Sequence, residues 1–203
     1  VSKSLGVKSA LELDGAAVCL QSGTTTELNL ADYFSANNMS YKSVNYDTSD
    51  ATIKGFEAGR CDMLTSDQSQ LYSLRIKLEN PGSAIVLPEV ISKEPLGPVV
   101  RQGDAVWEDI VRWSLNVMIE AEEYGISSSN ADMMKTSENP AVKRLVGTEG
   151  ELGSYLGLDQ DWSLRIIKQV GNYGESYKRN IADTGILPDR GPNNIWTQGG
   201  LLY

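Results

Sequence analysis

From Ala16 to Leu20 the chain is apolar without a break, and the next seven residues, Gln21-Ser22-Gly23-Thr24-Thr25-Thr26-Glu27, are polar. A short apolar run containing a β-branched residue predicts a strand covered on both faces. Gly23 suits a turn whose backbone a Cβ would hinder. Thr24 and Glu27 have the spacing of a capping box, and the apolar positions then take a helical period through Leu28, Ala31 and Phe34. Tyr41 to Tyr46 predicts a second strand. Ser49 begins a second helix through Ile53 and Phe56, which Gly59 ends. Cys61 to Thr65 predicts a third strand, and Gln68 to Lys77 the helix after it. Asn80-Pro81-Gly82 is a turn, and Ala84 to Leu87 predicts one more strand. Strands alternating with helices in this way make a doubly wound α/β sheet.

The second half of the chain is patterned differently. Lys93 to Arg101 contains Pro95 and Pro98 and predicts an extended connection between two bodies. Asp104 then caps a long helix. Trp107, Ile110, Val111, Leu115 and Met118 form its apolar stripe, expected to be core, and Gly125 ends it. Residues 127–139 are loop-like. Helical pieces follow at 140–146, 151–156, 161–170 (with Asp161 as its cap) and 173–183, before a tail rich in Gly and Pro.

The formal charge of −9 over 203 residues argues against nucleic acid, which needs a basic footprint. The acidity is spread along the chain rather than gathered in a tail. No apolar run is long enough to span a membrane. With no histidine in the sequence, the Ser-His-Asp triad, the Cys-His dyad and the usual zinc sets that need it are ruled out; no metal and no cofactor is expected. The two cysteines, Cys19 and Cys61, fall in the first and third predicted strands. These are commonly neighbours in a doubly wound sheet, so a disulfide is geometrically open to them and would imply an oxidising compartment; two buried free thiols are the alternative.

The candidate chemistry lies at the strand ends. The turn at Gly23–Thr26 offers backbone N–H groups, hydroxyls and the positive end of a helix, which suits a carboxylate; a plain turn with a good cap reads the same locally. Ser66-Asp67 follows the third strand directly. Asp67 and the turn together suit a zwitterion, with the ammonium at Asp67, while a simple helix cap is the other reading of that aspartate.

Three stretches then resemble a known family: Gln21 to Glu27; Phe56-Glu57-Ala58-Gly59-Arg60-Cys61-Asp62-Met63-Leu64-Thr65-Ser66-Asp67; and Gly97-Pro98-Val99-Val100-Arg101-Gln102-Gly103-Asp104. They look like the second half of polar amino-acid solute-binding proteins of ABC importers. The tail, Tyr173-Gly174-Glu175-Ser176-Tyr177 and Asn193-Asn194-Ile195-Trp196, is similar to the general L-amino-acid-binding branch. The resemblance implies a type II periplasmic-binding-protein fold in truncated form. Residues 1–92 would be the α/β ligand-binding lobe 2, 93–102 the hinge strand, and 103–203 a helical segment that packs on lobe 1, whose N-terminal segment is missing. It implies a non-enzymatic protein of the Gram-negative periplasm that binds an L-amino acid in an interlobe cleft and serves membrane permease subunits. Thr24 and Thr25 would hold the substrate carboxylate, Asp67 the α-ammonium, and Gln21 and Ser66 would face the ligand side chain. A homo-oligomer, or segments exchanged between copies, is expected where lobe 1 is incomplete. The competing readings are a dehydratase-type enzyme on the same fold and the sensor domain of a receptor.

Overall fold

The computed structural model describes residues 1–93, 96–187 and 189–203. The chain divides into two compact units, Val1–Pro95 and Leu96–Tyr203.

The first unit is built on three parallel strands, β1 (Ala17–Gln21), β2 (Lys42–Tyr46) and β3 (Met63–Leu64), in the order β2-β1-β3. β1 is central: Cys19 pairs with Val44 on one side and Leu64 on the other. Being covered on both faces, it has no polar residue between Ala17 and Leu20, and Val18, Cys19 and Leu20 are all buried. Alternation sends Val18 and Leu20 to the face covered by helix α1 (Thr25–Ala36), where they meet Leu30 and Phe34 together with Met63 and Leu13. Cys19 and Gln21 take the opposite parity. Helix α2 (Ser49–Glu57) leads from β2 into β3, and helix α3 (Gln68–Lys77) follows β3.

Cys19 and Cys61 are joined in a disulfide, the outcome the neighbouring strands allow. β3 is shorter than the sequence pattern implies. The Asp62 N–H still donates to the Ala17 carbonyl at 2.8 Å, but the Ala17 N–H is taken by the Asp62 carboxylate at 2.8 Å instead of a backbone carbonyl, so the ladder does not extend back to Cys61. The expected strand at Ala84–Leu87 does not form. Ala84 makes one antiparallel bridge to Ser2, and the run continues as irregular extended chain whose Leu87 packs, with Ile91, on the first core. The apolar run is explained by burial against that core, which needs no ladder.

The second unit is helical: α4 (Ala105–Glu123), α5 (Pro140–Leu145), α6 (Leu152–Tyr155), α7 (Trp162–Val170) and α8 (Tyr173–Tyr177), the last continued by a π turn at Lys178–Ala182. Its core gathers Val117 and Ala121 of α4 with Ile126, Val142, Leu145, Leu164 and Ile167. The stripe expected to be buried along α4 is therefore corrected. Only the C-terminal half of the helix reaches this core, while Trp107 and Trp113 are 49% and 51% exposed. Asp104 caps α4 through the Trp107 N–H at 3.0 Å. Asp161 does not cap α7; its carboxylate pairs with Arg165 at 3.0 Å instead. Of the expected hinge, Glu94 and Pro95 lie outside the described residues, and Leu96 to Arg101 forms no regular element.

Candidate functional site at the carboxyl edge of the sheet

The three strands run the same way, so their last residues, Gln21, Tyr46 and Leu64, lie along one edge. Helices α1, α2 and α3 start from that edge and turn the positive ends of their dipoles toward it. In the order β2-β1-β3, the chain leaves β1 in one direction and returns past it in the other. The gap between β1 and β3 is the switch point, the place where open parallel sheets accept ligands. The Gly23 turn flanks it on one side and Ser66-Asp67 on the other.

Gly23 has φ +72°, a left-handed turn that its missing Cβ permits. That turn swings the Gly23 N–H to the helix start, where it donates to Glu27 Oε2 at 2.9 Å. Thr24 is the cap: its Oγ1 accepts the Glu27 N–H at 3.4 Å and donates its own proton to the Gln21 carbonyl at 2.8 Å. The reciprocal half of the capping box thus lands one residue before Thr24. Two consequences follow for an incoming anion. The Thr24 hydroxyl proton is already committed, so backbone N–H groups are what this residue has to offer. The Glu27 carboxylate also occupies the Gly23 N–H and places a negative charge at the turn. Thr25 is exposed at the first helical position.

Asp67 stands at the cap position of α3 but makes no side-chain cap hydrogen bond. Its carboxylate is half-buried and has no hydrogen-bonding or ion-pair partner among the described residues. A cap accounts for an aspartate here only if it meets the N–H of the second or third helical residue. This one does not.

Beside Asp67 runs a chain of three polar side chains. The Ser66 hydroxyl donates to Gln70 Oε1, and Gln70 Nε2 donates to Ser49 Oγ at 3.0 Å. Ser49 is the first residue of α2, which is capped separately by Thr48. Ser49 and Ser66 line a small open hollow, about 20 Å³ in volume, with Gln21, Thr52, Leu64, Thr65 and Leu74. Gln21 Nε2 donates to the Asp47 carbonyl at 3.3 Å. The hollow therefore brings together Gln21 and Ser66 of the residues singled out from sequence. Thr24, Thr25 and Asp67 line the same sheet edge but not the hollow. Ser49, Thr52 and Gln70 were missed. The one available signal was the i, i+4 spacing of Ser66 and Gln70; Ser49 reaches Gln70 only through the tertiary approach of α2 to α3. Among the described residues no cluster of His, Cys, Asp or Glu could hold a metal ion, and no helix is long and apolar enough to cross a membrane.

No protein-family model matches the chain. Individual proteins do. It is 58% identical over 202 residues, 98% of this chain, to YhdW of Escherichia coli, which carries the name of an amino-acid ABC transporter-binding protein. It is 55% identical over 206 residues to the general L-amino acid-binding periplasmic protein AapJ of Rhizobium johnstonii. A similar match, 54%, is to the glutamate/glutamine/aspartate/asparagine-binding protein BztA of Rhodobacter capsulatus. Among solved structures, an ABC transporter periplasmic binding protein from Brucella ovis with glutathione bound superposes with a TM-score of 0.92 at 52% identity, over 97% of this chain. The chain spans 59% to 61% of the length of the three curated relatives and 62% of the solved one. By sequence and by fold, the chain is similar along nearly its whole length to amino-acid binding proteins of ABC transporters, and it corresponds to about three-fifths of their length.

Proposed function

We propose that this protein is the solute-binding component of an importer that takes L-amino acids into a Gram-negative cell. It works in the periplasm, catalyses no reaction, and hands its ligand to the membrane permease subunits. Residues 1–92 form the ligand-binding lobe, 93–102 the hinge and 103–203 the helical segment. One observation carries the reading: a half-buried carboxylate, Asp67, with no partner among the described residues, beside a helix-start turn on the same sheet edge. Asp67 takes the α-ammonium. The Gly23–Thr26 turn takes the α-carboxylate through backbone N–H groups at Thr24 and Thr25. Gln21 and Ser66 face the ligand side chain.

The groups that fix the ligand are common to all amino acids, whereas the hollow beside them is lined by neutral polar and aliphatic residues, which favours a broad range. The glutamyl end of glutathione carries the same free α-carboxylate and α-ammonium, so a γ-glutamyl peptide fits these anchors too. Association between copies, or exchange of segments, goes with the exposed Trp107 and Trp113 of α4; sedimentation of a plain monomer would remove that part.

Calorimetric titration tests the reading with L-glutamine, its N-acetyl derivative and its α-methyl ester. The free amino acid binds, and blocking either charged group abolishes binding. Failure of every amino acid to bind, or equal binding of the blocked forms, would overturn it.

A further inference from the structure

The hydrogen-bond direction in the Ser66–Gln70–Ser49 chain decides what the hollow can recognise. Gln70 Oε1 accepts the Ser66 proton, so Ser66 Oγ faces the hollow as an acceptor only. Gln70 Nε2 donates to Ser49 Oγ, so the Ser49 proton stays available to point into the hollow. A side-chain amide is the one polar group here that must accept on one arm and donate on the other. Rotating it by 180° exchanges the roles of the two serines but leaves one committed proton and one available proton. The two serines therefore offer the hollow one donor and one acceptor, both neutral, with Thr52 behind them holding its own hydroxyl on the Thr48 carbonyl at 2.9 Å.

We infer that Gln70 is a positioning residue that sets the hollow's preference for a carboxamide side chain, the chemistry of glutamine and asparagine. This inference rests on the amino-acid-binding reading above. A carboxamide carries an acceptor oxygen for the Ser49 proton and a donor NH₂ for Ser66 Oγ. A carboxylate carries acceptors only and meets the Ser66 lone pairs unpaired. An aliphatic side chain leaves the Ser49 proton and the Ser66 lone pairs without a ligand partner, and because the hollow is open to water this grades affinities among side chains rather than excluding any.

The test is the ratio of glutamine to glutamate affinity, with alanine as a ligand that does not reach the hydroxyls. Gln70→Glu turns both serine protons inward onto the new carboxylate and adds a negative charge. The available donor is lost, so glutamate binding falls by about tenfold or more relative to glutamine. Gln70→Leu frees both hydroxyls to rotate and brings the ratio toward one. Ser49→Ala removes the donor and weakens glutamine by about fivefold or more, with alanine unchanged. The α2 cap at Thr48 is untouched by that substitution, so thermal unfolding checks that each variant is folded. A wild-type protein that binds amino acids, with a glutamine-to-glutamate ratio unmoved by all three substitutions, would overturn the inference and leave the functional reading standing. A wild-type protein that binds no amino acid would overturn both.

Discussion

Removing the Cys19–Cys61 disulfide measures how far the central strand depends on a covalent tie. The cysteines are 42 residues apart in sequence and enclose the whole of α1, β2 and α2. In the chain-entropy model a loop of that length restricts the unfolded state by about 4 kcal/mol. Both sulfurs are buried, Cys19 at 0% and Cys61 at 6% exposure. The double substitution Cys19→Ala/Cys61→Ala also leaves a small void beside β1, which adds about 1 kcal/mol. The expected loss is therefore roughly 4–5 kcal/mol, a large part of the stability of a domain this size. All four tryptophans lie in the second unit, so their fluorescence reports that unit and not the sheet. Hydrogen exchange at the amides of Val18 and Leu20 reads the sheet directly. Their protection should fall by the stated amount, and thiol titration of the denatured, non-reduced wild type should find no free thiol. A change at those amides below about 1 kcal/mol would refute the reasoning, because the loop-closure term would then be absent.

Other expectations follow from single contacts. In the second unit, the Arg190 guanidinium forms a two-pronged ion pair with Glu122, both side chains at least 85% buried, and lies over the rings of Tyr173 and Tyr177. Glu122→Gln should cost about 3–5 kcal/mol in the tryptophan-detected transition, since it strands a buried cation. Desolvation alone would raise the Glu175 carboxyl, but hydrogen bonds from the Ser128 hydroxyl and from the N–H groups of Asn172 and Ser128 outweigh it and hold the group below its ordinary value of 4.5. With a depressed folded-state value, this stabilisation is complete above pH 4.5 and is lost as pH falls through the folded value. An acid titration of the unfolding midpoint should therefore show a slope below pH 4.5 that Glu175→Gln flattens. The Tyr46 hydroxyl is buried with no partner among the described residues. Tyr46→Phe should leave stability unchanged or raise it by up to about 1 kcal/mol in urea unfolding.

The sheet was legible because each of its signals is local. An unbroken apolar run marks β1, a Thr-x-x-Glu spacing marks the start of α1, and Gly59 marks the end of α2 before the third strand. Ser66-Asp67 could be placed on the carboxyl edge of the sheet because a residue after a parallel strand falls there whatever the details. Other features depended on tertiary approach. Ala84 to Leu87 is apolar because it packs on the core, and composition does not separate that from pairing in a ladder. The stripe on α4 has a strong helical period, but period does not say which turns of the helix another element will cover. Gln70 is a polar residue in the first turn of α3 with no motif around it. Its partners come from the segment after β3 and from α2, and only the approach of α2 to α3 shows the connection. Thr24 was read as a cap and as a partner of the substrate carboxylate, whereas the tight turn at Gly23 brings the Gln21 carbonyl within reach of its hydroxyl proton.

The role of Asp67 carries the whole functional account, and one titration tests it most directly. Asn is nearly as good as Asp at a helix start, so Asp67→Asn should fold normally and leave the thermal midpoint unchanged. It removes the charge proposed to face the α-ammonium. Losing one partner of a buried charge-assisted pair costs about 2–5 kcal/mol, which is roughly 30-fold or more in affinity. Calorimetry with one acidic, one neutral and one basic L-amino acid should show all three weakened together, because all share the ammonium. Unchanged affinity for the three in a folded Asp67→Asn protein would contradict the account.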